Sequence, residues 1–181
     1  MLKKTLMSIA VVFAVLMAGL LGFATTQPDS FRVERSTSIN APASVIFPFI
    51  NDLQRWSAWS PYEKIDPAMK RTFSGASSGT GAIYDWDGNN EVGAGRMEIT
   101  AESPPSQLSI QLDFLRPFEG RNQVEFTLNE TGGTTQVTWA MQGPMPFLSK
   151  VMCLFFDMDK MIGKDYEAGL AALKKVSEAG A

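Results

Sequence analysis

Asp85 and Asp87 stand two residues apart, a spacing that puts both carboxylates on one face of a strand, where such a pair can divide acid and base work. Ala82, Tyr84 and Trp86 take the alternate, more apolar face, so the aspartates are expected to point to water. Tyr62 and Tyr84 are further groups that could pass a proton inside an apolar space. Arg96, Arg116 and Arg121 could each grip a carboxylate or phosphate in a bidentate contact. Arg96, however, alternates with Met97 and Ile99, and the other two flank the Pro117-Phe118 turn, so all three read as surface charge. The chain has no histidine and a single cysteine, Cys153. This excludes the His-dependent hydrolases, the common zinc hydrolases, disulfides and dithiol redox pairs. The glycines of Gly75-Ala76-Ser77-Ser78-Gly79-Thr80-Gly81 lack a Lys-Ser/Thr ending and lead into a strand, so they form a hairpin loop and not a phosphate loop. No catalytic residue, metal ligand or cofactor is assigned.

What remains is the chemistry of apolar contact. Trp56, Trp59, Trp86 and Trp139 supply large ring area with one N–H each, as a cavity wall or as plain core. Alternation turns Tyr84 and Trp86, and Phe114 with Leu112, inward. Helical spacing puts Met152 and Phe155 on the face of a C-terminal helix that meets the sheet. These eight residues, Trp56, Trp59, Tyr84, Trp86, Phe114, Trp139, Met152 and Phe155, are expected to surround one interior space able to hold an apolar molecule. Methionines gathered near the start of that helix, Met141, Met145, Met152, Met158 and Met161, suit either an adaptable wall or a filled core.

The elements that position them can be read from periodicity. Lys3 and Lys4 precede an uncharged apolar stretch, residues 5–24, long enough for a bilayer core of about 30 Å. No Lys or Arg follows until Arg32, which predicts a cytoplasmic N-terminus and a domain on the extracytoplasmic side of the cell membrane. Residues 1–25 are thus expected to be a single-pass anchor; the alternative is a signal peptide cut near Ala24, at Gly22-Phe23-Ala24, leaving a secreted or periplasmic protein. Residues 26–30 read as a linker. From Phe31 the period is that of strands: Phe31, Val33, Arg35, Thr37 and Ile39 share one side. Asn40-Ala41-Pro42 predicts a helix start, with a kink or early end at Pro48. A short helical piece carries Leu53, Trp56, Trp59 and Tyr62. Alternating runs at 97–101, 108–114, 124–128 and 137–141 predict antiparallel strands with one wet face, punctuated by turns at Asp87-Gly88-Asn89-Asn90, Pro104-Pro105 and Gly132-Gly133. One long helix is expected from Pro146 onward, with Gly163 and Gly169 marking close packing.

Ser38-Ile39-Asn40-Ala41-Pro42-Ala43-Ser44-Val45-Ile46-Phe47 resembles the first strand-to-helix junction of the START-like (SRPBCC) superfamily, in its polyketide cyclase/dehydrase branch. Asp52-Leu53-Gln54-Arg55-Trp56-Ser57-Ala58-Trp59-Ser60-Pro61 is similar to the second helix of that branch. Gly79-Thr80-Gly81-Ala82 with Tyr84-Asp85-Trp86 and Gly88-Asn89 looks like its next hairpin, and Gly163-Lys164-Asp165-Tyr166-Glu167-Ala168-Gly169-Leu170 like its last helix. The resemblance implies an α+β helix-grip fold over residues 31–178: a curved antiparallel sheet of about seven strands wrapped on a long C-terminal helix. It carries no shared catalytic motif.

The expected function is a non-enzymatic, membrane-tethered module binding a hydrophobic small molecule or lipid between sheet and helix. The alternatives are a polyketide cyclase/dehydrase-type enzyme acting in the same cavity, and a structural or partner-binding envelope protein with a filled core. The net charge of −3 argues against nucleic acid. Oligomeric state, ligand identity and protein partners are not legible.

Overall fold

In chain order the elements are α1 (Leu2–Thr25), β1 (Ser30–Ile39), α2 (Ala43–Asn51), β2 (Lys70–Gly75), β3 (Ala82–Asp87), β4 (Ala94–Ser103), β5 (Gln107–Arg116), β6 (Gly120–Thr131), β7 (Thr134–Pro144), α3 (Phe147–Cys153) and α4 (Met158–Ala179). The structure is a computed structural model that describes residues 2–180. The chain divides into two compact units, Met1–Phe31 with Pro144–Met158, and Arg32–Gly143 with Asp159–Ala181.

The larger unit is built on a seven-stranded sheet in the order β1-β7-β6-β5-β4-β3-β2. From β2 to β7 each strand pairs antiparallel with the next. Hairpins make this order cheap, because each strand meets the neighbour that precedes it in sequence. Alternation fixes which face is dry. Cross-strand rows such as Ile99, Ile110, Val124 and Met141 lie on the inner face and are buried, as are Leu108, Phe126 and Trp139. Glu98, Gln111 and Glu125 take the alternate positions, which are more exposed.

The α2 helix begins after Pro42 and continues through Pro48 to Asn51, so the proline does not end it at once. Its first N–H, that of Ala43, donates to the Glu130 carboxylate at 2.8 Å, a negative group where the helix dipole favours one. Two 3-10 turns follow, Leu53–Ala58 and Pro61–Lys64. The α4 helix then lies along β1 and β7. Tyr166 stacks on Trp139, and Arg35 on β1 reaches Asp159 and Glu167 at 2.9 and 2.8 Å. A side chain at Gly163 would overlap the Arg35 guanidinium, and one at Gly169 would lie 2.7 Å from the Trp139 ring, so both glycines are sites of close packing.

The expected single helix from Pro146 is instead two. Leu154 and Phe155 close α3 with tight turns, their N–H groups donating to Val151 and Met152, and α4 starts at Met158. Val151-Met152-Cys153-Leu154-Phe155-Phe156 is apolar on every side, so no single helical face could bury it, and Asp157 is of a type favoured just before a helix.

In the smaller unit α1 packs against α3. Thr5–Thr25 is a helix long and apolar enough to cross a membrane, by length and composition. The Met145 N–H donates to the Asp29 carbonyl at 2.7 Å, and Lys150 Nζ pairs with the Asp29 carboxylate at 2.5 Å. That ammonium holds the Asp29 carboxyl below its usual range.

Candidate functional site

The inner face carries two separate aromatic networks. The first gathers Trp56 and Trp59 with Phe126, Trp139 and Tyr166. In a 3-10 turn residues three apart eclipse one another, so Trp56 and Trp59 emerge on one side with ring centroids 4.9 Å apart. Their N–H groups are used locally, donating to the carbonyls of Ile50 at 2.9 Å and Phe49 at 2.8 Å. Both rings meet Phe126 and Trp139 edge-on, at 5.4 to 6.2 Å. Trp139 is sandwiched, stacked on Phe126 at 5.2 Å and on Tyr166 at 3.9 Å. Its buried indole N–H finds no acceptor among the described residues, and an unmet buried donor costs about 1–3 kcal/mol.

The second network runs across β2, β3 and β5. Phe73 stacks on Tyr84 at 4.8 Å, Tyr84 meets Trp86 at 6.1 Å, and Trp86 meets Phe114 edge-on at 6.0 Å. Register places them on one face: Phe73 opposes Tyr84, while Trp86 and Phe114 both oppose Gly95 on β4. Gly95 is essential to this geometry, because a methyl there would collide with the Trp86 ring and the Asp113 carbonyl. Here the burial is incomplete: Phe73 is 41% exposed and Phe114 half-buried.

A polar chain borders this stripe. The Tyr84 hydroxyl donates to Glu63 Oε1 at 2.6 Å, and Arg71 Nε donates to Glu63 Oε2 at 2.7 Å. The Glu63 side chain is only 8% exposed, so its charge is matched by a guanidinium and a phenol in the way a buried carboxylate needs. Burial, then the hydrogen bond and charge of Glu63, push the Tyr84 hydroxyl well above its ordinary range. Tyr62 is raised by burial and then by the Asp165 charge, and Tyr166 by burial and then by Tyr62. Arg71 is raised chiefly by its hydrogen bond to Glu63. Neither Glu63 nor Phe73 was singled out by the sequence. Glu63 sits in a four-residue turn without periodicity, and its only signal is a lone acid after Ser60-Pro61-Tyr62.

The eight residues expected around one space are therefore distributed. Trp56, Trp59 and Trp139 share the first network, and Tyr84, Trp86 and Phe114 the second; no ring contact joins the two among the described residues. Met152 lies in α3 and Phe155 in the turn after it, in the smaller unit, 43% and 66% exposed. The helical face assigned to them assumed one continuous helix, which the break after Cys153 removes. Asp85 and Asp87 lie on the other face, paired with Arg96 and Arg116, and Arg121 pairs with Asp113.

The sequence matches the family of polyketide cyclase/dehydrase and lipid transport proteins over residues 30–178. No curated protein matches the chain. Among solved structures, the dimeric Aha1 of Colwellia psychrerythraea is 15% identical, with a TM-score of 0.59 over 83% of this chain and 98% of its own. A Thermobifida fusca protein is 17% identical, with a TM-score of 0.60 over 82% of this chain and 93% of its own. DynU16, from the dynemicin biosynthetic locus, is 20% identical with a TM-score of 0.58, and the match covers 85% of this chain but 49% of DynU16. At these identities the likeness is one of fold.

Proposed function

The chain belongs to the polyketide cyclase/dehydrase and lipid transport family, and from that premise we propose that it is a membrane-tethered module holding a hydrophobic small molecule or lipid on the aromatic stripe of its sheet. The observation that carries this reading is the row Phe73, Tyr84, Trp86 and Phe114, buried in its middle at Tyr84 and Trp86 but open at its ends, where Phe73 is exposed and Phe114 half-buried. Covering exposed apolar area contributes roughly 25 cal/mol per Å². Tyr84, Glu63 and Arg71 at the border suit a ligand with one polar end. The apolar helix Thr5–Thr25 supplies the tether, with the domain on the extracytoplasmic side, and tethering to a membrane raises the local concentration of a lipid-soluble ligand.

Native mass spectrometry of the full chain, released from membranes in detergent and incubated with a total lipid extract, tests this. The expected result is a bound apolar molecule that is lost in Trp86→Ala. Lipid adducts unchanged by that substitution would belong to α1 and would overturn the reading.

A second reading, an enzyme of the cyclase/dehydrase kind, draws on one specific contact. The Tyr84 hydroxyl and the buried Glu63 carboxylate are 2.6 Å apart, an acid and a base at the edge of an apolar surface. In that case Glu63→Gln abolishes turnover of a polyketide-like substrate while leaving its binding in place.

A further inference from the structure

The smaller unit exposes an apolar surface that the ligand-binding reading does not use. Phe147, Leu148, Met152, Phe155 and Phe156 are all exposed, within ten consecutive residues that make up α3 and the turn after it. Single exposed apolar side chains are ordinary; five in one short helix and its turn form a patch. Between Pro144 and Met158 the charged residues are Lys150 and Asp157. Lys150 is buried and spent on Asp29, so the ammonium does not oppose transfer of its surroundings toward lipid.

Two observations within this unit say what covers the patch. First, α3 packs against α1, the helix able to cross a membrane. Second, the contact falls at the C-terminal end of α1: Ala24 is the one buried side chain of that helix among those described, and Asp29, four residues beyond Thr25, is bound by Lys150 and Met145. The patch is thereby held beside the point where α1 would leave the bilayer.

We propose that α3 and the turn after it form an interfacial foot, with Phe147, Leu148, Met152, Phe155 and Phe156 resting in the leaflet from which α1 emerges. The occupant is the bilayer itself, at the headgroup–acyl boundary, where an apolar helical face sinks about 5–10 Å. The inference rests on the reading of α1 as a retained span. It adds a second membrane contact, so that the chain leaving the bilayer is fixed and not a free leash.

Spin labels on the full chain test it. In a Cys153→Ser background, single cysteines are placed by Leu148→Cys, Phe155→Cys, Asn89→Cys and Val12→Cys, all at exposed positions. Each variant is reconstituted in vesicles of phosphatidylethanolamine and phosphatidylglycerol, and collision with oxygen is compared with collision with a water-soluble nickel chelate. Leu148→Cys and Phe155→Cys should shift the oxygen-to-nickel ratio from that of the solvent reference Asn89→Cys toward that of Val12→Cys, as insertion to about 5–10 Å requires. A lipid-like Val12→Cys with water-like Leu148→Cys and Phe155→Cys overturns the foot and keeps the span. Labels at 148 and 155 shielded from both reagents mean a protein covers the patch, which also overturns it. A water-like Val12→Cys overturns the span and the foot with it.

Discussion

Along the inner face of the sheet, the rings under α4 and the rings across β2–β5 are similar in number and kind but not in company. Trp56, Trp59, Phe126, Trp139 and Tyr166 touch one another from several directions, and Trp59 is fully buried. Phe73, Tyr84, Trp86 and Phe114 touch only in a row, each meeting the next. A cluster closed on itself spends its surface on cohesion, whereas the row is buried at Tyr84 and Trp86 and leaves its two end rings, Phe73 and Phe114, open to something else. The difference separates what holds this fold from what the fold offers.

The largest expected effect lies in the closed cluster. Trp59→Ala should cost about 3–5 kcal/mol, since it removes a whole buried ring from its three aromatic neighbours Trp56, Phe126 and Trp139; urea denaturation measures it, and a loss below about 1 kcal/mol would mean the cluster does not carry the fold. Gly169→Ala reads the same cluster by sign. An alanine in a helix ordinarily gains about 1 kcal/mol, but here the new methyl lies 2.7 Å from Trp139 and 3.0 Å from Pro61. The melting temperature should fall, as overpacking costs about 1–3 kcal/mol; a rise would show that the cluster yields.

Alkaline titration spans both regions. Tyr62, Tyr84 and Tyr166, the three tyrosines of the chain, all have hydroxyls raised by burial in the folded state. The unfolded chain loses those protons near pH 10 and the folded one does not. Stability is therefore complete below that pH and declines as pH rises above it, because only the unfolded state gains from ionisation. Tyrosinate absorbance should appear together with loss of near-ultraviolet ellipticity; tyrosinate forming first, in a folded protein, would contradict the burial. The smallest stability change belongs to the row. Phe73→Ala should cost under about 1 kcal/mol, because much of its ring is already wet, yet it should weaken capture of the apolar ligand. The opposite pattern, a large stability loss with binding intact, would make Phe73 a core residue and erase the contrast.

The strands were legible wherever one face is dry, as at 108–114 and 124–128, because alternation records burial directly. Strand β2 was not, since Lys70–Gly75 contains one apolar side chain, Phe73, and so has no pattern to read. The break between α3 and α4 was hidden by the opposite excess, a run with no polar face. Trp56 and Trp59 were rightly placed on a short helical piece beside the sheet, but periodicity reports only that a ring faces inward. Which rings meet each other depends on strands far apart in sequence. Glu63 was invisible for the same reason: its partners Arg71 and Tyr84 come to it only through β2 and β3.

Arg35 fastens α4 in a way that limits how the domain can move. Its guanidinium reaches Asp159 and Glu167, eight residues apart on either side of Gly163. Eight residues are a little over two turns of helix, about 12 Å at 1.5 Å per residue. Sliding α4 along its axis in either direction would stretch one of these contacts and jam the other, so the helix is indexed like a rail with a stop at each end. The opposite margin has no such stop among the described residues: β2 is a short, mostly exposed edge strand. The sheet thus has one margin, β1, pinned to α4 by ion pairs, and one margin, the strand β2 that carries Phe73, held within the sheet only by its ladder to β3.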